Sequence, residues 1–292
     1  MVKVTAEEGI MWTAQGSNNK ADNADGIAMN KIWDKGVLCQ IQSSVWSMEV
    51  RLEPKDLNMN SEEVPTFMRL GTKRLLPQQV RDEFNKHIWN AKSSAKKYGI
   101  QYFISNSFFI PFGNMDKLTE RINKERTAFY ERLENFLTRY APLRESYLEE
   151  NDSYRHILEE HYPTSEVIRS KFKFNVVYYA ASISDVSLGD IGSAEEVYLE
   201  WAVGAANTLR EEARDVADRV AKRIADGTDN GKTMRPVQTL LDRIQKMDLL
   251  GEDSLLNATK ALANNPTRGT AQDLKKAATK VDPLYVRKVL LD

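Results

Sequence analysis

The chain has 292 residues, 41% hydrophobic and 28% charged, and a formal net charge of −1. That length carries one large domain or two small ones, and the near-zero charge excludes a global field that would draw the protein to nucleic acid or an anionic membrane. No apolar run approaches the roughly 18 residues of a membrane span, the single cysteine (Cys39) excludes an internal disulfide, and Met1–Glu8 lacks the apolar core of a secretion signal; the expectation is a cytoplasmic protein with no membrane partner.

In chain order, residues 1–36 read as a polar arm. Gly16–Gly26 is rich in breakers, and Trp12 and Trp33 are its only large anchors. From Leu38 the pattern alternates. Cys39 and Ile41 are apolar in one phase; Trp46, Met48, Val50 and Leu52 continue in the other. A one-residue bulge at Ser43-Ser44 would keep both halves facing the core, with Pro54 ending the strand. A helix follows Pro77, a residue suited to the first helical position. Its stripe is Val80, Phe84, Ile88 (with Trp89) and Ala91, and Gly99 is its cap. Ile100–Phe112 is dense in apolar residues but short, which predicts a buried strand or packed loop.

Asn114 is predicted to cap a long helix with apolar positions Leu118, Ile122, Phe129, Leu133, Phe136, Tyr140, Leu143 and Tyr147. From Phe129 the spacing is that of a heptad seam, over fewer than three clean repeats, so an intramolecular helix pair is expected rather than an extended coiled coil. Pro142 is predicted to kink or end this helix. Short helical pieces at 153–161 and 165–170 precede a second strand, in which Phe172, Phe174, Val176, Tyr178 and Ala180 alternate with Lys171, Lys173 and Asn175. Pairing with the Trp46 strand is expected. After a loop at 185–192, Ser193 and Glu196 form a capping box. They open a helix to about Asp226 whose stripe is Val197, Trp201, Ala205, Leu209, Ala213, Val216, Val220 and Ile224. Asp215–Arg219 and Asp218–Lys222 have the spacing of intrahelical ion pairs. At ~1.5 Å per residue this is a rod of about 50 Å, and the Asn114 helix is its expected mate. Three shorter helices follow, at 236–249, 253–263 and 270–281, separated by Gly251, Pro266 and Pro283.

Several motifs come close to known chemistry and miss it. His156 and His161 are five residues apart, about 140° out of register for two zinc ligands on one helix face. Gly227–Thr233 is one residue short of a phosphate loop, with Asp226 where the first glycine belongs. As a calcium loop the same stretch puts Val237 where the bidentate glutamate should be. Cys39 lies in an apolar-patterned strand, which argues for packing rather than nucleophilic chemistry. These readings predict no catalytic residue, no metal and no cofactor. The basic residues form local groups: Lys92, Lys96 and Lys97; Lys171 and Lys173; Arg219, Lys222 and Arg223. The ordinary reading of such runs is solvated surface. The candidate nucleic-acid contacts are Lys171, Lys173, Tyr178, Tyr179, Arg219, Lys222 and Arg223, where aromatic rings beside lysines would stack on bases.

Val45-Trp46-Ser47, Leu70-Gly71-Thr72-Lys73-Arg74 and Phe136-Leu137-Thr138-Arg139-Tyr140 occur in that order, followed by the aromatic strand Phe172–Tyr178. This series resembles a bacterial and phage domain-of-unknown-function family, number thirty-one-fifty, over roughly residues 38–181. The resemblance implies no activity and no catalytic residues. It implies a bacterial or phage-infected host, and genes near AAA+ ATPases similar to the MoxR and cobaltochelatase groups.

The expected fold is mainly α (α+β): a long helical hairpin, a small antiparallel sheet and a C-terminal helical tail. The expected organisation is an arm at 1–36, a strand and long-helix body at 37–233 and a tail at 234–292. The expected function is a non-enzymatic helical interaction or scaffold protein of a phage or mobile element, self-assembling or partnering an AAA+ ATPase. A nucleic-acid-binding accessory protein is the alternative reading, and an enzyme with an unrecognised carboxylate site is the third.

Overall fold

A computed structural model describes residue 33 and residues 35–60, 62, 64–65, 67–179, 194–227, 234–247 and 253–291. The fold is mainly α with a small antiparallel sheet and a helical C-terminal region. Its strands are β1 (Gly36–Ser44), β2 (Glu49–Arg51), β3 (Thr72–Arg74), β4 (Ile100–Gln101), β5 (Ser107–Pro111) and β6 (Lys173–Tyr179). Its helices are α1 (Gln78–Tyr98), α2 (Met115–Glu150), the single turn α3 (Arg155–Leu158), α4 (Ser165–Lys171), α5 (Ala194–Ala225), α6 (Met234–Met247), α7 (Asp253–Asn264), α8 (Arg268–Ala277) and α9 (Pro283–Leu291). One sheet has the order β4-β5-β1-β6; β2 and β3 form a separate antiparallel pair. The arm at Gly16–Gly26, Trp12, the 185–192 loop and the Ser193 capping box lie outside the described residues.

The chain divides into two compact units, each discontinuous in sequence. Unit 1 holds residues up to Gln40, Ala95–Leu118 and the chain from Val177 onward. Here β5 pairs with β1 from Gly36↔Pro111 to Gln40↔Ser107, and β4 pairs with β5. The expected strand or packed loop after Gly99 is therefore a hairpin. Gly99 accepts its place through close approach: a Cβ there would lie 2.3 Å from Ile110 Cδ1 and 2.5 Å from the Phe109 carbonyl oxygen. One core cluster gathers Trp33, Leu38, Tyr102, Phe109, Tyr198 and Trp201. The Trp33 ring meets Phe109 edge-on at 5.8 Å, so this residue anchors the chain before β1. The Trp201 indole N–H donates to the Gln101 carbonyl at 2.8 Å.

A second cluster of unit 1 is aliphatic and small. Ala213, Val216, Ala217 and Val220 of α5 pack on Val237, Leu240 and Ile244 of α6 and on Ala271 and Leu274 of α8. Alanine on α5 lets these helices approach closely, and α8 makes its most extensive contact. The predicted stripe holds except at Val197, which is exposed; the fully buried residue of that turn is Tyr198. Asp218 pairs with Lys275 of α8 at 2.8 Å rather than with Lys222, and the Arg219 guanidinium donates to the Asp215 carbonyl at 3.1 Å. Gly227, at φ +61°, ends the α5 segment in the left-handed region that glycine favours. Helix α8 starts two residues earlier than expected, because Thr270 sits at the third position of a capping box with Thr267. Pro283 opens α9 rather than breaking the chain: its missing N–H costs nothing at a first helical position, and Asp282 Oδ1 accepts from Leu284 N at 2.9 Å.

Unit 2 holds Ile41–Ser94 and Thr119–Val176. Its core is aromatic. Phe84 of α1 lies 5.5 Å from Phe129, 5.9 Å from Phe136 and 4.6 Å from Phe172, and Phe129 lies 5.4 Å from Phe174. The heptad seam of α2 is thus covered by α1 and by the inward residues around β6. Within unit 1 the first half of the α5 stripe packs on the cluster of Trp33, Tyr102 and Phe109, and the second half on the C-terminal helices.

Three local expectations fail here for identifiable reasons. The bulged strand is two strands: the chain breaks at 45–48, where Met48 takes φ +57° and Ser47 Oγ bonds the backbone of Glu49. β6 pairs with β1, the first half of that expected strand, and not with its Trp46 half. Helix α2 runs through Pro142 to Glu150, because Pro142 lies on the exposed side where water can serve the freed carbonyl. Asn114 also differs from expectation. It is buried, and its Nδ2 donates to the Tyr98 carbonyl at 2.8 Å, so it serves the end of α1.

Candidate functional site

A polar constellation is built on unit 2 around Lys73. Gly71 takes φ +85°, and its carbonyl accepts from Leu52 N at 3.1 Å. That turn delivers β3 beside β2, with Val50 opposite Lys73. Alternation along β3 leaves Thr72 and Arg74 exposed and turns Lys73 inward. Arg74 and Thr72 both reach Glu49 on the open side.

Inside, the Lys73 ammonium lies 2.7 Å from Asp56 Oδ2, with side chains only 6% and 2% exposed. Asp56 sits in the 3₁₀ turn Pro54–Leu57, and the same Oδ2 accepts from Glu53 N at 2.8 Å. Burial opposes the Asp56 charge, but the bond from Lys73, the bond from Glu53 N and the nearby His161 outweigh it and hold the carboxyl below its ordinary value. The third part of this constellation comes from the 3₁₀ turn Glu159–His161. Glu160 Oε1 lies 3.3 Å from Lys55 Nζ and 3.2 Å from His161 Nε2. Ligand-capable atoms of Asp56, Glu160 and His161 all lie within 4.8 Å of one another. His161 Nε2 is buried and makes no hydrogen bond.

Next to this cluster the Trp46 ring meets Tyr140 edge-on at 6.2 Å, and the Tyr140 hydroxyl donates to the Pro163 carbonyl at 3.0 Å. Burial pushes the Tyr140 phenol up to about 12. Trp46, Lys73 and Tyr140 are thus structural positions of one unit: two pack and one is locked in an ion pair.

A family model described as "Protein of unknown function (DUF3150)" matches residues 33–273. The chain belongs to this family. No curated protein and no solved structure matches it. The three motifs that suggested the DUF3150 family fall on the Trp46 break, on the Gly71 turn with β3, and on the seam of α2.

The sequence-predicted contacts of this DUF3150 chain fall in several places. Lys173 is exposed on the side of β6 opposite buried Phe174, whereas Lys171, expected in the same strand, is exposed as the last residue of α4. The Lys171 carbonyl accepts from Ser44 Oγ at 2.8 Å. Tyr178 hydrogen-bonds Cys39, and Tyr179 packs on the aromatic cluster of unit 1 with its hydroxyl 3.3 Å from Ser107 Oγ. Arg219 and Lys222 are exposed and Arg223 half-buried near the end of α5. Cys39 is fully buried, and burial pushes its thiol up to about 12, the state of a packing residue.

Trp89 was read as part of the inward stripe of α1. It is 69% exposed, on the face opposite Phe84, Ile88 and Ala91. Lys86 precedes it by three residues and Lys92 follows it by three, so each lies about one helical turn from Trp89 along α1. The signal was available in the sequence: residues 84, 88 and 91 define one face, and 89 lies 100° from 88.

Proposed function

We propose that this DUF3150 chain is a non-enzymatic helical interaction protein of a phage or mobile element, and that it docks a protein partner with an acidic surface. The observation that carries this reading is the outward face of α1. Tryptophan is highly buried on average, yet Trp89 faces solvent between Lys86 and Lys92. Exposed aromatic anchors are characteristic of binding surfaces, and here lysines stand three residues to either side. An AAA+ ATPase of the MoxR or cobaltochelatase type is the first partner to test, and a second copy of the chain is the next. The test is affinity capture of purified candidate ATPases together with solution mass. Binding that falls at least tenfold in the Trp89→Ala variant supports the proposal. A monodisperse monomer that captures no ATPase overturns it.

A second reading, a nucleic-acid accessory protein, is favoured by exposed Lys173 and Asn175 on β6, with exposed Lys171 at the end of α4 just before them. It predicts a mobility shift whose affinity falls steeply with salt. Absence of any shift at low salt ends it.

A further inference from the structure

We infer that Asp56, Glu160 and His161 form a binding site for a divalent transition-metal cation of the zinc class. The three side chains offer two carboxylate oxygens and one imidazole nitrogen, all within 4.8 Å of one another. A tetrahedral ion with ligands at about 2.1 Å holds them about 3.4 Å apart, so small side-chain rotations complete the set.

Three observations support the assignment. First, His161 Nε2 is buried and makes no hydrogen bond, its 3.2 Å approach to Glu160 Oε1 lying outside hydrogen-bond geometry. That is a costly state for a ring nitrogen. A metal–nitrogen bond removes that cost. Second, the bonds that orient Asp56, from Glu53 N and from Lys73 Nζ, both fall on Oδ2. The two donors hold the carboxylate in place, as second-sphere hydrogen bonds do for a ligating carboxylate. Third, Glu160 is 53% exposed, which gives an ion a path from solvent and leaves room for water at a fourth position.

Charge permits the ion. Glu53, Asp56 and Glu160 face Lys55 and Lys73, so these five groups together carry one excess negative charge. The Lys73 ammonium opposes a second cation, but Lys55 is 62% exposed and can turn into water as the ion arrives. The imidazole donor selects zinc-like ions over magnesium or calcium, which take oxygen ligands. The bound ion would tie the Pro54–Leu57 turn to the 159–161 turn, about a hundred residues apart in sequence.

The test is titration of the purified, metal-stripped full chain with zinc chloride by calorimetry, alongside magnesium chloride. The expected result is one zinc per chain, with affinity falling at least tenfold in both His161→Ala and Glu160→Gln, no comparable magnesium binding, and no change in His156→Ala or His87→Ala. Glu160 is exposed, so Glu160→Gln keeps the test decisive even if His161→Ala fails to fold. No zinc binding by the wild-type chain, or wild-type affinity in Glu160→Gln, overturns the inference.

Discussion

The aromatic core of unit 2 and the aliphatic bundle of unit 1 solve the same problem by different means. In unit 2, Phe84, Phe129, Phe136 and Phe172 meet at 4.6–6.2 Å, edge-on or tilted. Large rings fix each element by direction as well as by area. In unit 1, α5 offers Ala213 and Ala217 to its neighbours, and the helices gain by coming close. The buried charges differ in the same way. Lys73 of unit 2 pairs with Asp56, which lies in another segment, whereas Arg210 of unit 1 bonds the Ala206 carbonyl one turn back in its own helix. The comparison teaches that unit 2 is specified by a few directional contacts, and the helical part of unit 1 by many small ones.

The sharpest way to break that comparison is to remove one directional contact. Lys73→Ala leaves Asp56 charged and buried without its partner, and should destabilise by about 3–5 kcal/mol; urea unfolding measures it. Lys73→Met combined with Asp56→Leu should recover most of that loss, because isolated buried charge is the cost. Phe84→Ala removes the ring at the centre of unit 2 and should also cost about 3–5 kcal/mol. In the bundle, Ala213→Leu forces α5 from its neighbours and should cost about 1–3 kcal/mol by overpacking. A larger loss from Ala213→Leu than from Phe84→Ala would invert the contrast drawn here.

The smallest effect concerns Cys39. Its thiol is raised from an ordinary 9.0 to about 12, so the folded state keeps it neutral while the unfolded state ionises. Stability from this group is complete below about pH 9 and is lost as pH rises toward 12. At pH 8 a thiol reagent should label the native chain slowly and the urea-unfolded chain at the rate of a free thiol. Equal rates in both would mean that the strand around Cys39 opens readily.

Much of the architecture was legible because it is local. Helices α1, α2, α5, α6 and α7 follow from apolar spacing with their ends within a few residues, and Gly99 and Gly227 mark stops. Trp89 could have been placed outward from the same spacing. Other features needed neighbours several residues away: the left-handed turn at Met48 that splits the expected strand depends on how Ser47 bonds Glu49, and Pro142 is tolerated because its side of α2 faces water. Of the metal-capable cluster, only Glu160 and His161 were adjacent in sequence, and histidine spacing alone argued against a site.

The sequence by itself determined the helical periodicity, the glycine stops at Gly99 and Gly227, the family and the positions of Trp46, Lys73 and Tyr140 as landmarks. Each of these rests on residues within a turn or two of one another, or on the order of short motifs. Only the tertiary structure decided that α5 packs on α8, that Asp218 pairs with Lys275, and that Asp56 meets both Lys73 and His161. Those partners are chosen by how distant segments close on a shared core, and an ion pair or ligand set forms wherever that closure brings oppositely charged groups within about 4 Å, a distance that chain spacing does not encode.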